Sequence, residues 1–358
     1  MQPVSAETIT LADGRSVVLQ ERIGRGTCGV VYRAFVESGW GVKRPVAVKL
    51  FEIPQEHDHG ELMRRLGRIA RRASSIRHSS VVQIYELDRI DSAPGHHPQP
   101  FFVTELVEGE SLASIVNGWY SHGHRVPIDF AVVVVLRAAE ALGAALFTDT
   151  VDGTIANLVH GDLSPRQVLI SNAGEVKVSD FSQGALREVT STIRSRTRLA
   201  YTAPEVASGA DPDPRSDVFA LGVMLHELLL GSRFGPGTDF ADAIQMVRDG
   251  RFRLNVLEPN IPRDLRDVLY AATERNATLR YPHARAMASD LRREMHRLGL
   301  CDTETSVRHA VVGWCAPIAD DTIIETAPPI PVPRQSEVVP KNRDEDTAAE
   351  TRTAKLKL

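Results

Sequence analysis

The chain has 358 residues, of which 42% are hydrophobic and 25% are charged, and its formal net charge is −4. This composition is typical of a soluble globular protein, and the length allows a two-lobed unit of roughly 250–300 residues plus a remainder. The weak negative charge does not favour binding to nucleic acid or to an anionic membrane.

The first third of the chain has the patterns of β-strands and one helix. Apolar residues alternate on either side of Asp13-Gly14, a dipeptide that favours a hairpin turn. Between Glu61 and Ile76 they recur at three- and four-residue steps, which predicts an amphipathic helix. The predicted strands are residues 8–21 (the first hairpin), 17–36 (two strands around a glycine-rich turn), 46–51, 81–87 and 101–107.

After Glu110 the sequence becomes mostly helical. A β-rich first third followed by a helical remainder predicts an α+β protein with two unequal lobes. The clearest predicted helices are residues 130–147, 217–230, 264–274 and 283–298.

Residues 130–147 form the most apolar stretch, but Arg137 and Glu140 interrupt it. This predicts a buried helix and no membrane span, which needs about 20 apolar residues in a row. The first ten residues lack the basic start and apolar run of a secretory signal, and the three cysteines have no paired spacing. We therefore expect a cytoplasmic protein with reduced thiols.

Two segments of the small predicted lobe have the chemistry of a phosphate site. Gly24, Gly26 and Gly29 lie in a turn between two strands, where glycine lets the backbone N–H groups approach phosphates. A dinucleotide-binding loop has similar glycines but opens a helix, and an ordinary flexible turn is the other alternative. Lys49 follows Val46-Ala47-Val48, and burying its amine is costly unless it meets an anion such as a phosphate. If that motif stood alone, an edge-strand lysine facing water would be the simpler interpretation.

Further motifs place two carboxylates in the second lobe. Asp162, in His160-Gly161-Asp162-Leu163, precedes a short apolar strand and could orient a hydroxyl or accept its proton. Asp180, in Val178-Ser179-Asp180-Phe181, is an oxygen ligand of the kind that Mg²⁺ prefers. Ala203-Pro204-Glu205, the helix that begins near Asp217, and Arg280 complete the series.

These six motifs, in this order, resemble the eukaryotic-type (bacterial-like) serine/threonine protein kinase family over about residues 15–298. Aminoglycoside and choline kinases share the segment around Asp162 but lack the Ala203-Pro204-Glu205 segment and the following helix. The resemblance implies a bilobal protein-kinase-like fold. It divides the chain into an N-terminal extension (1–14), an N-lobe (about 15–107) and a C-lobe (about 108–298). The remaining tail (299–358) is expected to be disordered, because prolines cluster from about residue 316 and its end is charged and threonine-rich.

The resemblance also implies roles for individual residues, with ATP and Mg²⁺ as cofactors. Asp162 would be the catalytic aspartate, Asp180 and Gln167 would hold the metal, and Glu205 and Arg280 would form a buried structural ion pair. The implied nucleotide-binding residues are Gly24, Gly26 and Gly29 over the phosphates, Lys49 on the α- and β-phosphates, Glu105 and Val107 in the hinge beside a gatekeeper Thr104, and Val31, Ala47 and Leu169 around the base.

Several positions depart from the family pattern. The glutamate that normally pairs with the strand lysine is replaced by Ile69, and Glu61 lies more than two helical turns from that position. Gln167 replaces the metal-binding asparagine. Ser164 stands where serine/threonine kinases usually have a lysine, and either Arg166 or Arg198 could supply the missing cation. Ser182 replaces the glycine after Phe181 and restricts the backbone there.

Two functions follow from this pattern. The first is an ATP- and Mg²⁺-dependent protein kinase, directed to serine or threonine and slowed by the substitutions, with Lys49, Asp162 and Arg166 as its catalytic residues. The second is a pseudokinase that binds nucleotide, or only a regulatory partner protein, and signals through its conformation. A small-molecule kinase of the aminoglycoside or choline kinase type is a further alternative.

Overall fold

The computed structural model describes residues 8–26, 28–38, 40–53, 58–90, 98–181, 196–234, 238–250, 261–299 and 307–308. They form an α+β structure with a β-sheet lobe followed by a mainly helical lobe. The predicted fold class is therefore confirmed. Residue Ser182 and nearly all of the tail lie outside these ranges.

The N-lobe contains a six-stranded sheet in the order β1-β2-β3-β4-β6-β5, in which all neighbours are antiparallel. The first hairpin turns at Gly14, whose positive φ of 85° is accessible to glycine at little cost. Between Val17 and Leu19, alternate residues are buried, as expected for a strand with one face in a core. The strands are β1 (Thr8–Thr10), β2 (Ser16–Gly26), β3 (Gly29–Glu37), β4 (Lys43–Phe51), β5 (Ile84–Ile90) and β6 (Gln99–Thr104).

Strand β1 lies inside the segment that the sequence assigned to an N-terminal extension. It pairs with β2, and Ile9 and Leu11 are buried in a core on one face of the sheet. The sheet therefore begins before residue 15.

Helix α1 (His59–Ala73) covers the opposite face of the N-lobe sheet. Asp58 caps its N-terminus by accepting a hydrogen bond from the Glu61 backbone N–H at 2.9 Å. Its buried residues recur at helical spacing, which confirms the predicted amphipathic pattern, and they are Leu62, Leu66, Ile69 and Ala73.

The C-lobe contains a small three-stranded sheet and most of the helices. The strands are β7 (Gly109–Ser111), β8 (Val168–Ser171) and β9 (Val176–Val178). The helices are α2 (Leu112–Ser121), α3 (Ile128–Phe147), α4 (Arg196–Tyr201), α5 (Pro204–Ala207), α6 (Pro214–Leu230), α7 (Phe240–Arg248), α8 (Arg263–Thr273) and α9 (Ala284–Arg297).

Helix α3 is long and apolar enough to cross a membrane, but 72% of its most apolar window is buried in the protein. It packs against α6 and α9. Its two charged interruptions, Arg137 and Glu140, form an ion pair at 2.9 Å. The helix is thus the central core helix of the C-lobe.

A buried ion pair anchors α5 to the end of the C-lobe. The Arg280 guanidinium donates to both carboxylate oxygens of Glu205, at 2.7 and 2.8 Å. It also donates to three backbone carbonyl oxygens, those of Glu274, Arg275 and Arg215, at 2.6–3.2 Å. The predicted structural pair is confirmed.

Candidate active site

The glycine-rich turn is the end of the β2–β3 hairpin, where Gly26 pairs with Gly29. Gly29 has φ +149°, and a Cβ atom there would lie 1.9 Å from the Leu50 carbonyl oxygen of β4. A Cβ on Gly26 would meet nothing nearer than 4.0 Å. Gly29 is therefore required for the packing of β3 on β4, whereas Gly26 leaves its surroundings open to a ligand.

Lys49 of the N-lobe sheet and Asp180, which follows β9 of the C-lobe, are in contact. Lys49 lies on β4, in the middle of the sheet, and its side chain is only 9% exposed. Its ammonium group donates a hydrogen bond to Asp180 Oδ1 and lies 5.4 Å from the centre of the Phe51 ring. Asp180 has φ +69°, a conformation uncommon outside glycine and often found at functional sites. The proposed phosphate-binding amine and metal-binding carboxylate are thus in contact.

A buried network fixes the loop that carries Asp162. The Asp217 carboxylate accepts hydrogen bonds from the backbone N–H groups of His160 and Gly161, each at 2.8 Å. Burial raises the pKa of Asp217 to about 7, although these two N–H groups favour its ionised form. The loop's path is therefore set by a side chain of helix α6.

The His160 ring links the Asp162 loop to the Asp180 segment. Burial lowers the pKa of His160, so its ring is neutral near pH 7. In that state Nε2–H donates to the Ser179 carbonyl oxygen at 2.9 Å, while Nδ1 accepts from the Asp162 backbone N–H at 3.3 Å. The ring also lies 5.1 Å from the buried ring of Phe181. The two proposed catalytic segments are therefore positioned as one unit.

The Asp162 carboxylate is paired with an arginine from helix α4. Arg198 Nε lies 2.5 Å from Asp162 Oδ1, and the two side chains are only 16% and 14% exposed. Arg166, the other cation considered for this role, is exposed. Of the two arginines, Arg198 is thus the one that contacts the carboxylate, and a catalytic role for Arg166 stays a prediction.

Two of the substituted positions contact each other in the same loop. The Ser164 hydroxyl donates to the Gln167 side-chain oxygen at 2.5 Å. The Gln167 backbone carbonyl accepts two hydrogen bonds from Ser179, next to Asp180. These bonds hold the Gln167 backbone beside the residue that precedes the metal-binding candidate Asp180.

The adenine-binding candidates come from both lobes. Strand β6 ends at Thr104, so Glu105 and Val107 lie beyond it and not within a strand as predicted. The Thr104 hydroxyl donates to the Ala47 carbonyl oxygen at 3.4 Å. Val31 lies opposite Lys49 across β3 and β4. Leu169 is on β8, in the other lobe, and is partly buried.

Glu105 has a partner that sequence reasoning missed. Lys177 Nζ lies 2.8 Å from Glu105 Oε1 and donates to the Ser79 carbonyl oxygen at 2.9 Å. Lys177 is buried on β9, between Val176 and Val178. A lysine within an apolar strand was the signal that identified Lys49, and it applied equally to Lys177.

Helix α1 places no acid at the position that normally pairs with the strand lysine. Ile69 is buried in the core that α1 shares with Phe181. Glu61 instead pairs with arginines of its own helix, Arg64 and Arg65, at 2.9 and 3.0 Å. Glu61 therefore does not take the place of the acid that is missing at position 69, as expected from its distance along α1.

Comparison with known proteins agrees with this arrangement. The family model for protein tyrosine and serine/threonine kinases matches residues 17–291. The chain belongs to the protein kinase family. This kinase chain is 32% identical over 296 residues to the serine/threonine-protein kinase PknL of Mycobacterium tuberculosis, a match that covers 81% of the chain and 68% of PknL.

Two further relatives carry names with different specificities. The chain is 30% identical to the serine/threonine-protein kinase PknB of M. tuberculosis over 256 residues, 69% of the chain and 38% of PknB. It is 29% identical to the tyrosine-protein kinase MasK of Myxococcus xanthus over 280 residues, 76% of the chain and 42% of MasK.

Proposed function

We propose that this chain is a cytoplasmic, ATP- and Mg²⁺-dependent protein kinase that transfers the γ-phosphoryl group to a serine or threonine hydroxyl of a protein substrate. The observation that carries the proposal is the contact between Lys49 of the N-lobe and Asp180 of the C-lobe, together with the His160 ring that links Asp162 to the Asp180 segment. The relatives named as serine/threonine kinases support the choice of hydroxyl.

The proposed reaction needs three actions from the protein. Lys49 would hold the α- and β-phosphates of ATP, and Asp162 would orient the substrate hydroxyl and accept its proton. The hydroxyl oxygen then forms a bond to the γ-phosphorus, and the bond from that phosphorus to the bridging oxygen breaks. ADP leaves with the electron pair of that bond.

Asp180 and Gln167 have the oxygen atoms that suit a divalent metal. Mg²⁺ is commonly held by one or two carboxylates together with substrate phosphates and waters, so a carboxylate and an amide oxygen fit it. When bound, the metal would neutralise charge on the phosphates. Lys49, which now contacts Asp180, would move its hydrogen bond to the nucleotide.

A second candidate is a pseudokinase, and the buried Ile69 favours it. With no acid at this position of α1, Lys49 lacks the partner that would hold it in place once Asp180 binds a metal. The chain would then bind nucleotide or a partner protein without efficient phosphoryl transfer.

An autophosphorylation assay with radiolabelled ATP separates the two candidates, with Asp162→Asn as the matched control. We expect label in the wild type that is lost in the variant, and phosphoserine or phosphothreonine after acid hydrolysis. Equal labelling of both proteins would defeat the kinase proposal. A rise in the unfolding midpoint with Mg²⁺-ATP, without any label, would favour the pseudokinase.

A further inference from the structure

Helix α4 brings a cation to the proposed catalytic carboxylate from outside the catalytic loop. Arg198 follows Asp162 by 36 residues, yet the two side chains meet at 2.5 Å and are largely buried. The Thr202 hydroxyl donates to the Arg198 carbonyl oxygen at 3.1 Å, and Leu199 and Tyr201 are buried. The chain is therefore anchored directly after the arginine.

The catalytic loop itself has no cation at position 164, where serine/threonine kinases usually have a lysine. Ser164 cannot carry a charge, and its hydroxyl is engaged by Gln167. Arg166 is exposed to solvent. A cation near Asp162 is chemically useful, because negative charge on the transferred phosphoryl group must be stabilised next to the attacking hydroxyl.

We propose that Arg198 has taken over this task, so that its guanidinium orients Asp162 and contacts the γ-phosphate of ATP. This inference rests on the proposed kinase function and assigns a further catalytic residue to it. A guanidinium has five N–H donors in a rigid plane, so it can contact a carboxylate and a phosphate oxygen together. Because the hydroxyl held by Asp162 attacks the γ-phosphorus, a group bonded to Asp162 lies within reach of the phosphoryl oxygens.

The proposal that Arg198 supplies the charge that Ser164 lacks predicts that a lysine at position 164 restores activity when Arg198 is removed. We expect Arg198→Gln to lower kcat about 100-fold or more, in the range found when one charge-stabilising group is removed. Arg198→Lys keeps the charge and should retain more activity than Arg198→Gln. The double variant Ser164→Lys/Arg198→Gln should regain at least about tenfold over Arg198→Gln, because the cation is supplied again from the loop.

The rescue distinguishes charge supply from a purely structural role. A lysine at position 164 cannot replace packing or hydrogen bonds that Arg198 makes within α4. A double variant no more active than Arg198→Gln, or an Arg198→Gln variant with unchanged kcat, would overturn the inference. Unfolding midpoints of all variants check that each remains folded.

Nucleotide affinity tests the phosphate contact without requiring phosphoryl transfer. Calorimetry with Mg²⁺-ATP and Mg²⁺-ADP should show that Arg198→Gln weakens ATP binding about fivefold or more and ADP binding less than about twofold. If the wild type transfers no phosphate but this ATP-specific loss is found, the kinase proposal fails and the assigned contact stands. Equal weakening of both nucleotides, or of neither, overturns the contact whatever the activity.

Discussion

Arg280 and Lys49 are both buried cations paired with a carboxylate, one within the helical lobe and one where the two lobes meet. The Arg280 side chain is fully buried and donates to both oxygens of Glu205 and to three backbone carbonyls. Lys49 contacts Asp180, and the two carboxylates are about equally exposed, 24% for Asp180 and 26% for Glu205. A guanidinium whose N–H donors are all used is fixed in place, whereas the Lys49 ammonium group has one hydrogen-bond partner among the described residues and can exchange it for a ligand. We expect the first pair to stabilise the fold and the second to act in the proposed phosphoryl transfer.

The comparison predicts the largest effect for loss of the structural pair. Arg280→Met should lower the free energy of unfolding by about 3–5 kcal/mol, because Glu205 and the carbonyls lose their partner inside the protein. Chemical denaturation measures this. Arg292 pairs with Glu140 but is 49% exposed, so Arg292→Met is the control, with an expected loss below about 1 kcal/mol. Similar losses in both variants would contradict the structural role.

Loss of the Lys49–Asp180 pair should affect activity and leave the fold intact. We expect Lys49→Met to reduce the rate of phosphoryl transfer about 100- to 1,000-fold, since a charge aimed at the phosphates is removed. Lys43 lies on the same strand with its side chain 61% exposed, and Lys43→Met should leave the rate unchanged. If Lys49→Met unfolded the protein as readily as Arg280→Met, the distinction between the two pairs would fail.

The glycine-rich hairpin allows the same separation of fold and function. Gly29→Ala should destabilise the protein by about 1–3 kcal/mol, because its Cβ would overlap the Leu50 carbonyl of β4. Gly26→Ala has room for its Cβ, so we expect an unchanged unfolding midpoint and a higher KM for ATP. An equal loss of stability in both variants would show that Gly26 is structural too.

A new acid on α1 should sharpen the role of Lys49. We expect Ile69→Glu to raise the transfer rate by roughly twofold to tenfold, which corresponds to an activation free energy lower by at most about 1.4 kcal/mol. The new carboxylate would hold Lys49 in place when Asp180 binds the metal. Burial of the carboxylate should lower stability at the same time. Ile69→Gln introduces a side chain of nearly the same shape as glutamate but without its charge, so this variant should not raise the rate. An unchanged rate in Ile69→Glu would mean that lysine positioning does not limit transfer.

Much of the fold followed from local patterns in the sequence. The period of the apolar residues identified α1, but the helix begins two residues earlier than predicted, after its cap Asp58, and ends at Ala73, three residues before the predicted end at Ile76. Strand β6 was predicted to continue to Val107 but ends at Thr104, where the chain leaves the sheet. Apolar residues after Thr104 continued the strand pattern, and nothing local marked the end.

The site was less predictable, because its charges come together from distant segments. Lys49 and Asp180 were recognised from their motifs, and the structure places them in contact. Sequence alone left two cations open for Asp162, since only the fold decides that Arg198 and not the nearer Arg166 reaches it. Lys177 and Glu105 are separated by 72 positions, and no motif links them. Long-range pairing of side chains is set by packing and not by local sequence.

Strand β1 has a practical consequence for anyone who prepares shortened versions of this protein. A fragment trimmed to the family match at residues 17–291 would lose Ile9 and Leu11, expose the edge of β2, and cut α9 before its last turns. Exposed strand edges pair with other chains. Such a fragment should self-associate, and an inactive preparation of it would report on aggregation and not on catalytic competence.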